Sequence, residues 1–410
     1  MEPTFEEIVA ARARIASGIR RPACDHSPLL SELCSAPIWV KREYQLPTGS
    51  FKERGARNAL LLLPEAARPH GVIAASAGNH ALALAYHGRD LGISVTVVMP
   101  IFAPIVKQER CRQFGARVLL AGQNIAEAKE EAERIIAIEG QTYIHGFDDR
   151  AVIAGAGTIG LELIEEIPDL QTVVLPLGGA GLAAGLGLAI KTMKPSVRIV
   201  GVEPRHAMSF AAALSHGSPI KIEMEPTLGD GLAVPQVGPR AFALAKEVVD
   251  EVSGVGEGAM LLAILRLAEL EKAVVEGAGA APLAAILDEE PLDLAGASTA
   301  LILCGGNIDP AVLGRVIEHG LVEDGRLVQF HALISDRPGG LARLTATLAD
   351  AGASVKQIAH ERAFTRSHFA QVEVICTIET RDHQHAMAVL NRLRSEGMPC
   401  DVVSGSPLAP

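Results

Sequence analysis

Aromatic side chains are scarce in this sequence: one Trp, three Tyr and ten Phe among 410 residues, or 3%. No block of Lys or Arg offsets a formal net charge of -11, so neither the stacking platforms nor the basic surface of a nucleic-acid binder is present. Charged residues are only 21% and hydrophobic ones 49%, a balance that excludes a disordered chain and fits a well-buried one. The six cysteines, Cys24, Cys34, Cys111, Cys304, Cys376 and Cys400, show no CxxC or metal-ligand spacing and read as reduced thiols. No apolar run reaches the ~18 residues of a membrane span, and the acidic start Met1–Glu7 has no signal-peptide core. The expectation is a soluble cytoplasmic protein of two or three domains, with no nucleic acid and no membrane as partner.

What is present is a regular alternation. A capping box, Thr4 to Glu7, opens a helix to about Ser17. A short strand from Ile38 precedes a helix from Phe51 to Leu62. A buried strand at Gly71–Ser76, strands at Ser94–Pro100, Arg117–Ala121, Thr172–Leu177, Arg198–Glu203 and Ser298–Cys304, and a short extended piece at Tyr143–Phe147 are interleaved with helices. Strands alternating with helices imply parallel sheets covered on both faces, and this many units favour two open α/β sheets, the smaller at about 55–150. From about Gly325 the order becomes strand Leu327–Ser335, helix Pro338–Ala351, strand Ala353–Arg362, strand Ala370–Glu379, helix His383–Glu396 and strand Cys400–Ser404. That β-α-β-β-α-β order describes a separate ferredoxin-like domain.

The chemistry gathers at loops following strands, where open α/β sheets bind ligands. Lys52 stands in the first turn of its helix, where the dipole disfavours a cation. An amine there is either solvated or lowered in pKa to act as a nucleophile. Ser76-Ala-Gly-Asn-His80 opens a helix whose N–H groups suit a carboxylate, with Asn79 able to donate to a phenolate oxygen. Leu177-Gly-Gly-Ala-Gly-Leu182 can cradle a phosphate. Two further segments are Glu276-Gly-Ala-Gly-Ala280 and Cys304-Gly-Gly-Asn307. A rival reading exists, because Gly179-Ala-Gly181-Leu-Ala-Ala184 fits GxGxxA and the next strand ends in Glu203, where a ribose-binding acid belongs. On that fingerprint alone the chain is a nucleotide-dependent oxidoreductase. Such an enzyme has no use for the lysine segment, whereas an imine-forming lysine, a ring-oxygen donor, a phosphate loop and a neutral ring-nitrogen partner together describe a pyridoxal phosphate site.

The residues Thr48-Gly-Ser-Phe-Lys52-Glu-Arg-Gly-Ala56, Ser76–His80, Phe147-Asp-Asp149, Gly157-Thr158, Gly178–Leu182, Asp230-Gly231, Glu276–Ala280 and Cys304–Asn307 resemble, in order and spacing, the threonine dehydratase (threonine ammonia-lyase) family of fold-type II pyridoxal-phosphate enzymes. The tail from Ser335-Asp-Arg-Pro-Gly-Gly-Leu341 is similar to an ACT regulatory domain. The resemblance implies a pyridoxal-phosphate catalytic domain over 1–322 and an ACT-like domain over 323–410. It implies pyridoxal 5'-phosphate bonded to Lys52, with Phe51, Asn79, Gly178, Gly179, Ala180, Gly181, Leu182 and Cys304 around it. Ser76, Asn79 and His80 are then expected to take the substrate carboxylate. The implied reaction converts L-threonine to 2-oxobutanoate and ammonia, and L-serine to pyruvate. L-serine or threo-3-hydroxyaspartate as main substrate is the alternative. A small-molecule effector at the ACT domain and a homo-oligomer, tetramer or dimer, are also implied.

Five departures from the family pattern bear on this. Ala180 replaces a glycine of the phosphate loop; its amide survives, so binding is expected provided the residue does not need positive φ. Cys304 stands where Ser or Thr is usual, and all three are neutral. Ala77 occupies the place of a serine that serves racemisation in related enzymes, and Ser209 that of a metal-binding acid, so no racemase activity and no metal are expected. Ala353-Ser354 replaces the ACT domain's usual Asn.

Overall fold

The computed structural model describes residues 2–361 and 370–403; Arg362 and Ser404, expected to end two strands, lie outside them. The chain divides into two compact units, Met1–Ile308 and Asp309–Pro410. The expected division at 322/323 lies 14 residues later. It falls at the end of helix Pro310–Glu323, which belongs with the second unit because it packs on strand Leu327–Ser335 there.

The first unit holds two sheets. The larger runs Cys24–His26, Ile38–Lys41, Thr299–Ile302, Thr172–Pro176, Arg198–Pro204, Glu251–Val255, parallel throughout except for the first, antiparallel pair. The smaller runs Arg117–Leu120, Val95–Met99, Val72–Ala75, Thr142–Tyr143, all parallel. Central strands such as Val95–Met99 and Thr172–Pro176 are buried at every position, as strands covered by helices on both faces must be. The capping box is formed: Thr4 accepts from the Glu7 N–H, Glu7 accepts from the Thr4 N–H, and the helix runs Phe5–Ile15. Of the short extended piece expected over Tyr143–Phe147, only Tyr143 is in a strand, Thr142–Tyr143. His145 Nδ1 there accepts from the N–H groups of Phe147 and Asp148, which turns the backbone off the sheet.

Behind the site lies a buried charge cluster. The Arg54 guanidinium grips Glu43 with two bonds of 2.8 Å and Glu162 with bonds of 2.7 and 2.8 Å. Lys41 Nζ adds contacts of 2.7 Å to Glu162 and 2.9 Å to Glu166. Arg54, Lys41 and Glu43 are all fully buried. Buried ions persist only when paired in this way, so the cluster fixes the helix that carries Lys52.

The second unit has the β-α-β-β-α-β order, with helices Gly340–Asp350 and His383–Ser395. Its antiparallel sheet runs Ser354–Glu361, Gln371–Glu379, Leu327–Ser335, Cys400–Val402. Alternate residues Val372, Val374, Cys376 and Ile378 face a core with Leu344, Leu348, Val389 and Leu393 from the two helices.

Candidate active site

The lysine segment is pinned to the end of the central strand Thr299–Ile302. Phe51 N–H donates to Cys304 O at 2.9 Å, and Ser50 forms an isolated bridge with Gly305. The helix then starts at Lys52 and runs to Leu61. Lys52 Nζ donates to Gly146 O at 2.7 Å and lies 5.0 Å from the centroid of the Phe51 ring. Burial pushes its amine down from 10.5 to about 8, against the opposing pull of Cys304 and Glu276.

The glycine-rich loop follows strand Thr172–Pro176 and opens helix Gly181–Met193. The first N–H groups of a helix have no partner within it, and here they border the cavity. The condition set on Ala180 is not met: its φ is +66°, in the left-handed region that costs an L-residue about 1–2 kcal/mol. A Cβ at Gly179 would collide with the Phe147 ring, so this glycine is required by packing.

One cavity brings together Phe51, Lys52, Asn79, Gly178, Gly179, Ala180, Gly181, Leu182 and Cys304. Phe147, Pro176, Gly231, Leu232, Glu276 and Ala278 complete its wall, and none of these stood among the expected contacts. Segments containing Phe147, Gly231 and Glu276 were visible as motifs, but nothing in the residue types assigned them a side-chain role. Ser76 and His80 are not on this wall. Ser76 Oγ accepts from Gly78 N–H at 3.3 Å and does not cap helix Asn79–Leu91. His80 turns its Nε2–H onto Ile144 O at 3.0 Å, and burial pushes its ring down to about 3, so it stays neutral.

Asn79 is held at both ends: its Nδ2 donates to Glu276 Oε1 at 2.6 Å and its Oδ1 accepts from Asn307 Nδ2 at 2.8 Å. Burial, with Asp230 adding to it, raises the Glu276 carboxyl to about 7. Burial also drives the Cys304 thiol well above its usual range, so it remains protonated. Glu203, the acid of the rival fingerprint, is fully buried and accepts from the N–H groups of Phe210 at 2.8 Å and Ala211 at 2.9 Å. Fully buried and turned onto a helix start, this carboxylate is closed off from a ribose, which speaks against the oxidoreductase reading. Among the described residues no cluster of three or more His, Cys, Asp or Glu is arranged to hold a metal.

The family model described as "Pyridoxal-phosphate dependent enzyme" matches residues 15–305. The L-threonine ammonia-lyase of Thermotoga maritima is 40% identical over 400 residues, 98% of this chain and 99% of its own. That of Geobacter sulfurreducens is 41% identical over 396 residues, 97% of this chain and 98% of its own. The structure of maize serine racemase superposes with a TM-score of 0.74 at 31% identity, covering 78% of this chain and 98% of that one.

Proposed function

Because this chain belongs to the pyridoxal-phosphate dependent enzyme family, we propose that it is a threonine ammonia-lyase, converting L-threonine to 2-oxobutanoate and ammonia and L-serine to pyruvate. The observation that carries this reading is Cys304, a buried thiol held neutral on the cavity wall. A neutral partner cannot give a ring nitrogen a full proton, so the electron sink stays weak and prompt loss of a β-hydroxyl is favoured over proton exchange at Cα. Ala77, without a hydroxyl, supports elimination over racemisation as well.

The wall fits the cofactor: it offers helix-start N–H groups for a phosphate, an amide for a ring oxygen and an amine of lowered pKa. When bound, pyridoxal phosphate supplies an electron sink that acidifies the substrate Cα–H and labilises the β-hydroxyl. The protein's share is positional. Lys52 Nζ, with an amine near 8, takes the Cα proton as general base. The amides of Gly178–Leu182 hold the phosphate. The substrate carboxylate is received by the N–H groups that open helix Asn79–Leu91, since the His80 ring is committed to Ile144.

The choice among substrates turns on charge. Lys107, whose charge is felt by Glu276 on the cavity wall, is paired with Asp230 at 3.5 Å, so it is not a free cation for a β-carboxylate. This favours threonine and serine over threo-3-hydroxyaspartate. Comparing kcat/KM for 2-oxo acid release from the three substrates tests this: threonine should lead, and hydroxyaspartate in first place would overturn it.

The second unit is proposed to be an ACT domain. Its candidate effector site is the hollow formed by Ser335, Asp336, Arg337, Gly339, Leu341 and His360. Pairing of such units would make the enzyme a homodimer or tetramer. Six free cysteines suit the cytoplasm. Calorimetric titration with branched-chain amino acids, and assembly of a chain ending at Ile308, test these assignments.

A further inference from the structure

The geometry points to Arg110 as a positioning residue that, through Asn307, fixes the amide of Asn79 so that one of its N–H groups is aimed into the cofactor cavity. Arg110 lies outside every motif of the site, half-buried on helix Ile105–Gln113, which follows a strand of the smaller sheet. Its Nη1 donates to Asn307 Oδ1 at 3.0 Å. Asn307 Nδ2 in turn donates to Thr48 O at 2.7 Å and to Asn79 Oδ1 at 2.8 Å. Asn79 Nδ2 then donates to Glu276 Oε1 at 2.6 Å.

The direction of this chain is dictated by its Arg110 end. A guanidinium can only donate, so the oxygen of Asn307 must face Arg110 and its nitrogen must face Asn79. Asn79 Oδ1 accepts from that nitrogen, which leaves the nitrogen of Asn79 facing Glu276. Arg110 and the Thr48 carbonyl demand the same orientation of an amide that could otherwise turn over, and the second amide follows the first. An amide nitrogen carries two N–H groups, and Glu276 takes one. The second faces the cavity that Asn79 lines. The backbone is cut away to let the chain pass. A Cβ at Gly49, whose φ is +80°, would lie 2.6 Å from Asn307 Oδ1, and one at Gly305 would collide with the Glu276 carboxylate. Two motif glycines are thus explained by the path of the relay.

This inference rests on the reading that Asn79 contacts the cofactor. The Thr48 carbonyl backs the same orientation, so losing Arg110 weakens the arrangement without abolishing it. The test is pyridoxal phosphate affinity of the full-length chain stripped of cofactor, read by the visible absorption of the bound form. Arg110→Met is expected to raise Kd about three- to tenfold, the worth of one weakened hydrogen bond. Arg110→Lys, which keeps a cationic donor, should stay within about twofold of wild type, as should Arg112→Met on the same helix. Asn79→Ala should raise Kd about tenfold or more, and adding Arg110→Met to it should change nothing further. Wild-type affinity in Arg110→Met, or a full additional loss in the double variant, overturns the role of Arg110. Wild-type affinity in Asn79→Ala overturns the reading of Asn79 itself, and the present inference with it.

Discussion

Replacing Lys52 by Met in the cofactor-free chain should make the protein more stable at neutral pH. The Lys52 amine falls from 10.5 to about 8 because the folded chain withdraws it from water. At about 1.4 kcal/mol per pH unit, that gap is a charge-burial cost of about 3 kcal/mol. Below pH 8 both folded and unfolded chains carry the proton, and the full cost is present. Between about 8 and 10.5 the unfolded chain keeps a proton the folded chain has released, so wild-type stability rises with pH across that window. Methionine removes the cost at every pH but also loses the 2.7 Å bond from Nζ to Gly146 O, worth about 1 kcal/mol. The variant should therefore exceed wild type by about 2 kcal/mol at pH 7, with the advantage gone by about pH 10.5. Urea denaturation of both cofactor-free chains from pH 6.5 to 10.5 measures this directly. A wild type that is the more stable at pH 7, or a difference that does not change with pH, refutes the claim that the amine is held against its hydration.

Glu276 and Glu203 are both raised by burial to about 7, so between about 4.5 and 7 the folded chain keeps protons the unfolded chain has lost, and stability falls as pH rises. Glu276→Gln should remove about half of that slope in denaturation midpoints across pH 4.5–7.5; an unchanged slope rules out its buried titration. Arg54→Leu leaves Glu43, fully buried, without its guanidinium and should cost about 3–5 kcal/mol in chemical denaturation. A loss below about 1 kcal/mol would show the cluster to be incidental. Gly179→Ala should displace the Phe147 ring, lower the melting temperature and weaken pyridoxal phosphate binding about tenfold; unchanged affinity would detach that contact from the loop Gly178–Leu182.

Much of the fold was legible because its strands are short, β-branched and regularly punctuated. The lysine helix begins one residue after its expected start, and the C-terminal element order reads directly from the sequence. The edge strands Cys24–His26 and Glu251–Val255 were not legible, since neither is buried on both faces and each mixes polar residues or glycine into a short run. The cavity's backbone contacts announced themselves through glycine, whereas its side-chain wall did not. Glu276 occupies the position just before helix Gly277–Leu287, where an acid reads as an ordinary cap, yet its carboxylate makes no cap bond and reaches Asn79 instead. His80 misled for a related reason: its neighbour Asn79 faces the cavity, and a helix turn of about 100° per residue sends the next ring to Ile144. Arg110 is silent in sequence because a half-buried arginine on a polar helix has no pattern to betray it.

The titratable groups around the cavity share one physical tendency. Lys52 is pushed down, Glu276 and Cys304 up, and His80 down, each chiefly by burial and each towards its neutral form. Charge is instead concentrated one layer back, where Arg54 meets Glu43 and Glu162 in matched bonds. The helix carrying Lys52 therefore presents a neutralisable amine to the cavity and a compensated guanidinium to the core, two residues apart. A second ammonium in this wall would put another net charge where burial already works against the charge of Lys52. Backbone N–H groups bind a phosphate through dipoles and add no net charge. That is a reason for the loop Gly178–Leu182 to carry no basic side chain.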